Sequence, residues 1–205
     1  MKEKRRIKDD FSLMAVLLIP VCIAINTAGY QTAALLKLPL YLDCIGTVLS
    51  GMLAGPWVGA ITGLASNCVF GIFNPTDLPF AIVNMCFGIA AGILSGKGMF
   101  TKWWKIVISG VVLTFVAVLI ATPISVLFFG GATGSGNSII TAILVATGKG
   151  LWTSCFTASA LTEFGDKELT VFICYFIARN MSARYLSKLR NGHMFIRNKE
   201  TPVIE

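Results

Sequence analysis

Charge is scarce in this chain. Only 13% of its 205 residues are Asp, Glu, Lys or Arg, where a soluble domain carries about a quarter, and that scarcity excludes an ordinary soluble globule of this size. Acidic residues are fewest, 10 against 17 Lys and Arg. Histidine occurs once, as His193, so a histidine-based metal or acid/base site has no raw material. The cysteines Cys22, Cys44, Cys68, Cys86, Cys155 and Cys174 stand singly in apolar stretches with no CxxC pair, which argues for small buried hydrophobes and against redox or zinc chemistry. No Ser-Lys pair at workable spacing and no pair of intramembrane carboxylates is evident, so neither a catalytic residue, a cofactor nor a metal site is expected. Internal repeats and a mid-membrane charge for ion coupling, the marks of a secondary transporter, are lacking apart from Lys149.

Apolar surface, by contrast, is abundant. Hydrophobic residues make up 55% of the chain and the mean hydropathy is +0.76. Apolar runs recur at Phe11–Tyr30, Leu42–Ala54, Val58–Phe73, Leu78–Leu94, Trp104–Phe129, Ser138–Leu161 and Leu169–Leu186, many of them long enough to cross about 30 Å of hydrocarbon. The first run has the basic start of a secretory signal but no small-residue cleavage pattern, and further runs follow, so it reads as a retained helix. The net charge of +7 is placed as a topology signal, not as a nucleic-acid surface. Lys2, Lys4, Arg5, Arg6 and Lys8 precede the first run, Lys97, Lys102 and Lys105 share one loop, and Arg179 to Lys199 form the tail. These positions all fall inside if one of the last two runs does not cross. Ser138–Leu161 is the better candidate, because Gly148-Lys149-Gly150 puts a charge and two helix-weakening glycines at its middle.

The expected fold is therefore all-α: a polytopic bundle of six transmembrane helices, with a re-entrant or outer-face segment before the last helix. The chain reads as one membrane domain, with a basic cytoplasmic segment 1–10, a helix bundle 11–187 and a basic cytoplasmic tail 188–205. Gly55-Pro56 predicts a tight turn between two short helices. Gly51, Gly55, Gly59 and Gly63, continued by Asn67 and Gly71, recur every four residues, and Asn84, Gly88, Gly92 and Gly96 repeat the pattern. Such stripes let helix backbones approach closely, and they place Asn67 and Asn84 on faces directed at protein.

Polar groups gather on the predicted outer side: Asn26, Tyr30, Gln31, Tyr41, Asp43, Asn74 and Asp77, with Asn67 and Asn84 deeper. Each alone reads as a loop or cap residue, Asp77 for instance as a helix cap. Together they suggest a ligand cavity. In Ala146-Thr-Gly-Lys-Gly-Leu-Trp152, helical spacing would place Lys149, Trp152 and Phe156 on one face, a cation beside two aromatic surfaces suited to a planar ring; a snorkelling lysine with an interfacial tryptophan is the plainer alternative. A phosphate loop is excluded, because its first glycine would fall at Ile143. Gly130 to Gly136 reads as a flexible outer loop with the character of a gate. Glu163, Asp166, Lys167 and Glu168 read as capping and local ion pairing at a helix boundary.

The segments Tyr41-Leu-Asp-Cys-Ile-Gly-Thr47, Leu53-Ala-Gly-Pro-Trp-Val-Gly-Ala-Ile-Thr-Gly63 and Asn67, with Gly148-Lys149-Gly150-Leu-Trp152, resemble the substrate-binding component of energy-coupling factor transporters. The resemblance implies a six-helix bundle in the cytoplasmic membrane of a bacterium, both termini cytoplasmic, binding a vitamin or vitamin-like precursor from outside; Tyr30, Tyr41, Trp152 and Phe156 favour a flat ring with polar edges, such as a vitamin, nucleobase or nucleoside. Its partners would be a transmembrane coupling protein, two ATPase subunits and membrane lipid, with no nucleic acid. The family docks through small residues on its first helix, a spacing matched here by Ala24 and Ala28. The second and third runs also resemble the membrane input domain of certain sensor kinases, which would require a separate signalling partner.

Overall fold

A computed structural model describes residues 10–36 and 38–196, and the basic segment before Asp10 and the end of the tail lie outside the described residues. Every regular element among them is helical. In chain order they are α1 (Leu13–Leu35), α2 (Ile45–Ala54), α3 (Pro56–Phe73), a 3-10 turn at Pro75–Phe80, α4 (Ala81–Gly96), α5 (Trp103–Phe129), α6 (Gly136–Ala146), α7 (Leu151–Asn180), α8 (Ala183–Leu186) and a second 3-10 turn at Gly192–Phe195.

Four stretches are long and apolar enough to cross a membrane: α1, α3, Pro75–Gly96 and α5. Their outward faces carry exposed Leu17 and Val21 on α1, Ile61 and Leu64 on α3, Ile82 on α4, and Val111, Phe115 and Leu119 on α5. In water such a surface would be a severe liability; against acyl chains it costs nothing. Four helices fall outside that set: α2, α6 (11 residues) and α8 (4 residues) because they are short, and α7 because it is charged. The ten residues of α2 rise only about 15 Å. The 30 residues of α7 are long enough, but they carry Glu163, Asp166, Lys167 and Glu168 near their middle.

That last point corrects the sequence expectation. The four charged residues do not cap a helix boundary; α7 runs through them without interruption, and the break falls earlier, at residues 147–150 between α6 and α7. A helix tolerates such residues in its interior where their charges compensate one another. Lys167 Nζ sits 2.9 Å from Glu163 Oε2, one turn back, and 2.7 Å from Asp166 Oδ2. The local ion pairing is present and the capping is not.

The glycine stripes do what their spacing requires. A Cβ on Gly88 would overlap the backbone of Gly59, one on Gly51 or Gly59 would overlap the Gly88 carbonyl, and one on Gly92 would overlap Pro56. Three helices, α2, α3 and α4, thereby meet backbone to backbone, where dispersion and not water exclusion supplies the attraction. Gly55 closes the α2–α3 turn at φ 115°, a conformation that a side chain would strain, and Pro56 occupies the first position of α3, where its missing N–H costs nothing.

Both described ends of the chain lie at one end of the bundle. Asp10 forms an ion pair with Arg190 and accepts from the Trp57 backbone N–H, while the Asn191 N–H donates to the Leu53 carbonyl. Leu186, Leu189 and Phe195 bury their side chains in the core cluster, so residues 182–196 fold back onto the bundle and are not a free tail. Of the six cysteines, Cys22, Cys44, Cys155 and Cys174 are buried, Cys86 is half-buried and Cys68 is exposed, which corrects the uniform burial expected of them.

Candidate functional site

At the opposite end from Asp10 and Arg190, the bundle encloses a cavity of about 440 Å³, within the size range of sites for small organic ligands. Six pieces of chain wall it: the end of α1, the loop 38–44, α3 and α4 about their junction, α5 at Ala121 and Ser125, residues 133–139, and the middle of α7. Pro39 and Gly134, both exposed, stand at its rim.

One wall is aromatic. Tyr30 and Phe70 stack with centroids 4.6 Å apart and planes 9° from parallel, and Phe80 and Phe87 add further ring surface. The Tyr30 hydroxyl donates to Asp77 Oδ2 at 2.6 Å, which ties α1 to the α3–α4 junction. Asp77 is thus held by a tyrosine and does not cap a helix, as its position had suggested. The capping there falls to Asn74, whose Oδ1 accepts from the Thr76 N–H and hydroxyl.

A second wall is a chain of amides. Asn67 Nδ2 donates to the Asp77 carbonyl at 2.9 Å, and Asn84 Nδ2 donates to Asn67 Oδ1 at 2.8 Å. Helical spacing in α3 and α4 brings both asparagines to the cavity, and both are 3% exposed.

The floor is ionic. Lys167 is 1% exposed and its Nζ lies 4.5 Å from the Phe87 ring centroid. Asp166 uses both carboxylate oxygens: Oδ2 holds Lys167, and Oδ1 accepts the backbone N–H groups of Tyr41 and Leu42 at 3.0 and 2.9 Å. Those two bonds hold Leu42 at φ 52°, left-handed for a residue with a Cβ, and so set the path of the loop that presents Tyr41 and Asp43. Burial pushes the Asp43 carboxyl up to about 7, with the Lys167 ammonium working in the other direction. Burial also raises the Tyr41 phenol. Asp43, Cys44 and Asp166 place one ligand atom each within 4.8 Å of one another. The ammonium already bonded to Asp166 occupies the role that a metal cation would take there.

Among the sequence candidates, Tyr41, Asp43, Asn67, Asn74 and Asn84 line this cavity together. The others do not. Asn26 is fully buried within the bundle, where its Oδ1 accepts the Gly46 N–H at 2.6 Å and its Nδ2 donates to Thr47 and Ser66 at 2.8 Å each. It supplies from α1 the cap that Cys44, with no side-chain hydrogen bond to the helix start, does not give α2. Lys149 is exposed in the turn between α6 and α7, not at membrane depth on a helix. Trp152 stacks on Phe156 with centroids 6.2 Å apart, yet Trp152 is 46% exposed and neither ring reaches the cavity. Ala24 and Ala28 are exposed on α1.

Sequence reasoning included Tyr30 and Asp77 in the outer polar cluster but passed over Glu163 and Lys167 as site residues, although all four line the cavity. The signal for the last two was the i, i+4 spacing of opposite charges inside an otherwise apolar stretch, a combination that membrane helices rarely carry without function. Comparison of the chain with protein-family models, curated proteins and solved structures finds no match.

Proposed function

We propose that this protein is the substrate-binding membrane component of an energy-coupling factor type uptake transporter, which captures a vitamin-like or nucleobase- or nucleoside-like molecule from outside a bacterial cell. The observation that carries the reading is the cavity itself: a ligand-sized space at one end of an apolar bundle, combining a stacked aromatic wall, a buried amide chain and an ionic floor. That combination suits a flat ring with polar edges. The residues committed to this role are Tyr41, Asp43, Asn67, Asn74 and Asn84.

In this reading the chain passes through the membrane six times, on α1, on the short α2 together with the 38–44 loop that extends it, and on α3, α4, α5 and α7, with both termini cytoplasmic and the cavity facing outward. The hairpin of α6 with the start of α7 then lies at the outer face, and the loop Gly130–Gly136 gates the cavity. Lys97, Lys102, Lys105, Arg179, Arg184, Lys188 and Arg190 all fall on the cytoplasmic side, as the distribution of positive charge favours. Energy would come from a transmembrane coupling protein and two ATPase subunits. The exposed alanines Ala24 and Ala28 offer the coupling protein a flat, small-residue surface on α1.

The test is mass spectrometry of small molecules retained by the detergent-purified protein, together with identification of co-purifying subunits. A retained planar metabolite, or an ATPase pair with a membrane coupling subunit, supports the proposal. A protein that retains nothing and brings down a signalling kinase instead refutes it.

A further inference from the structure

Two independent features of the cavity set the sign of its ligand. The first is the amide chain. A backbone carbonyl only accepts, so the bond from Asn67 Nδ2 to the Asp77 carbonyl turns Asn67 Oδ1 toward Asn84, and the bond from Asn84 Nδ2 to that oxygen fixes the second amide in turn. Asn84 Oδ1 is left over, buried and without a partner, on a residue 3% exposed that lines the cavity. Asp43 Oδ1 and Asn137 Oδ1 are buried and unpartnered there too. The two amide oxygens can only accept, and the Asp43 oxygen accepts when its carboxyl is ionised. Native proteins seldom leave such atoms unmatched, and a ligand that satisfies them must bring donors.

The second feature is the charge balance. Asp43, Asp77 and Glu163 line the cavity, and Lys167 is the one Lys or Arg among the described residues that does so. Its ammonium is already shared between Glu163 and Asp166. Neither Asp43 nor Asp77 forms an ion pair with it, although its charge reaches Asp43, and the Asp77 side chain accepts from the neutral Tyr30 hydroxyl on Oδ2. Tyr30, stacked on Phe70, lines the same cavity and adds the aromatic surface that attracts cations.

We propose that the cavity selects planar nitrogen compounds that carry positive charge and present N–H donors, such as an amidinium or a protonated aminopyrimidine, with Asn84 Oδ1 and Asp43 Oδ1 receiving the N–H groups. This rests on the cavity being the ligand site of the uptake component. Anionic ring compounds of the same size are rejected, because each would set its charge against Asp43 and leave the buried acceptors unmatched. A planar forked cation also matches carboxylate geometry in two parallel bonds.

Three isosteric probes separate the possibilities: benzamidine, benzamide and benzoate, titrated by ligand-observed NMR against the full chain in lipid nanodiscs. Benzamidine is expected to bind at least about tenfold more tightly than benzoate, the factor that a single charge-assisted hydrogen bond supplies. The Asp43→Asn variant should reduce that preference to about twofold, and Asp43→Glu should restore it, which separates loss of the charge from loss of the fold. Benzoate binding as tightly as benzamidine overturns the selectivity while leaving the cavity as a binding site. Absence of saturable binding by all three probes removes both the selectivity and the uptake reading.

Discussion

Asn26 offers a quantitative separation between a structural residue and a ligand contact. The sequence places it among polar groups near the outer end of the first helix, whereas in the folded protein it makes three hydrogen bonds inside the bundle: from the Gly46 N–H, to Thr47 and to Ser66. Asn26→Ala removes all three and leaves an N–H in the first turn of α2 without an acceptor, in a site 0% exposed that water does not reach. A lost helix cap costs about 1 kcal/mol, and each buried side-chain hydrogen bond within a membrane bundle about 0.6–1.5 kcal/mol. The expected loss is about 2–4 kcal/mol, or a melting temperature lower by roughly 5–15 °C for a chain of this size. Thermal unfolding of the detergent-purified variant, followed by near-ultraviolet circular dichroism, measures it directly. At temperatures where the variant is folded, small-molecule binding should remain within about twofold, because Asn26 does not line the cavity. A melting temperature within about 2 °C of wild type, with binding abolished, would refute this assignment and return Asn26 to the ligand site.

Lys149→Ala should leave melting temperature and probe binding unchanged, within about 0.5 kcal/mol, since its side chain is exposed in a turn away from the cavity; loss of binding would show that the turn closes over the ligand. Lys167→Met strands two buried carboxylates and should destabilise the protein by about 3–5 kcal/mol, and adding Glu163→Gln to it should recover part of that loss in the same unfolding assay. Asp43 gives a pH dependence. Its free carboxyl loses its proton near pH 7, and a cation binds only the ionised form, so benzamidine affinity should fall about tenfold from about pH 8 to about pH 6. A flat profile, or one that rises toward acid, would contradict the assignment, and Asp43→Asn should abolish the slope.

Much of the helical frame is legible in the residue pattern, because each feature that encodes it is local. Gly55-Pro56 dictates a turn wherever it occurs, and glycine every fourth residue creates a flat helix face whatever lies opposite. Burial of Asn67 and Asn84 follows from the same stripes. The misplaced boundary near Glu163 has an equally definite cause. Charged residues in a row usually end an apolar helix, and only the partnership of Lys167 with two carboxylates lets α7 continue through them.

The site was legible as a set of residue types and not as a geometry. Tyr41, Asp43, Asn67, Asn74 and Asn84 were singled out because polar groups crowd the ends of neighbouring apolar runs. Lys149, Trp152 and Phe156 were grouped by helical spacing, which ceases to relate them once residues 147–150 form a turn. Asn26 has the same amide as Asn84 but meets a helix start where Asn84 meets a cavity. By itself, the sequence determined the all-helical class, the apolar spans and the faces along which α2, α3 and α4 close, since period, glycine spacing and hydropathy are properties of single segments. Only the tertiary structure decided which amide oxygen is left without a donor and that Asp166 bends the 38–44 loop, because each depends on residues more than 10 positions apart, on separate elements, arriving at the same point.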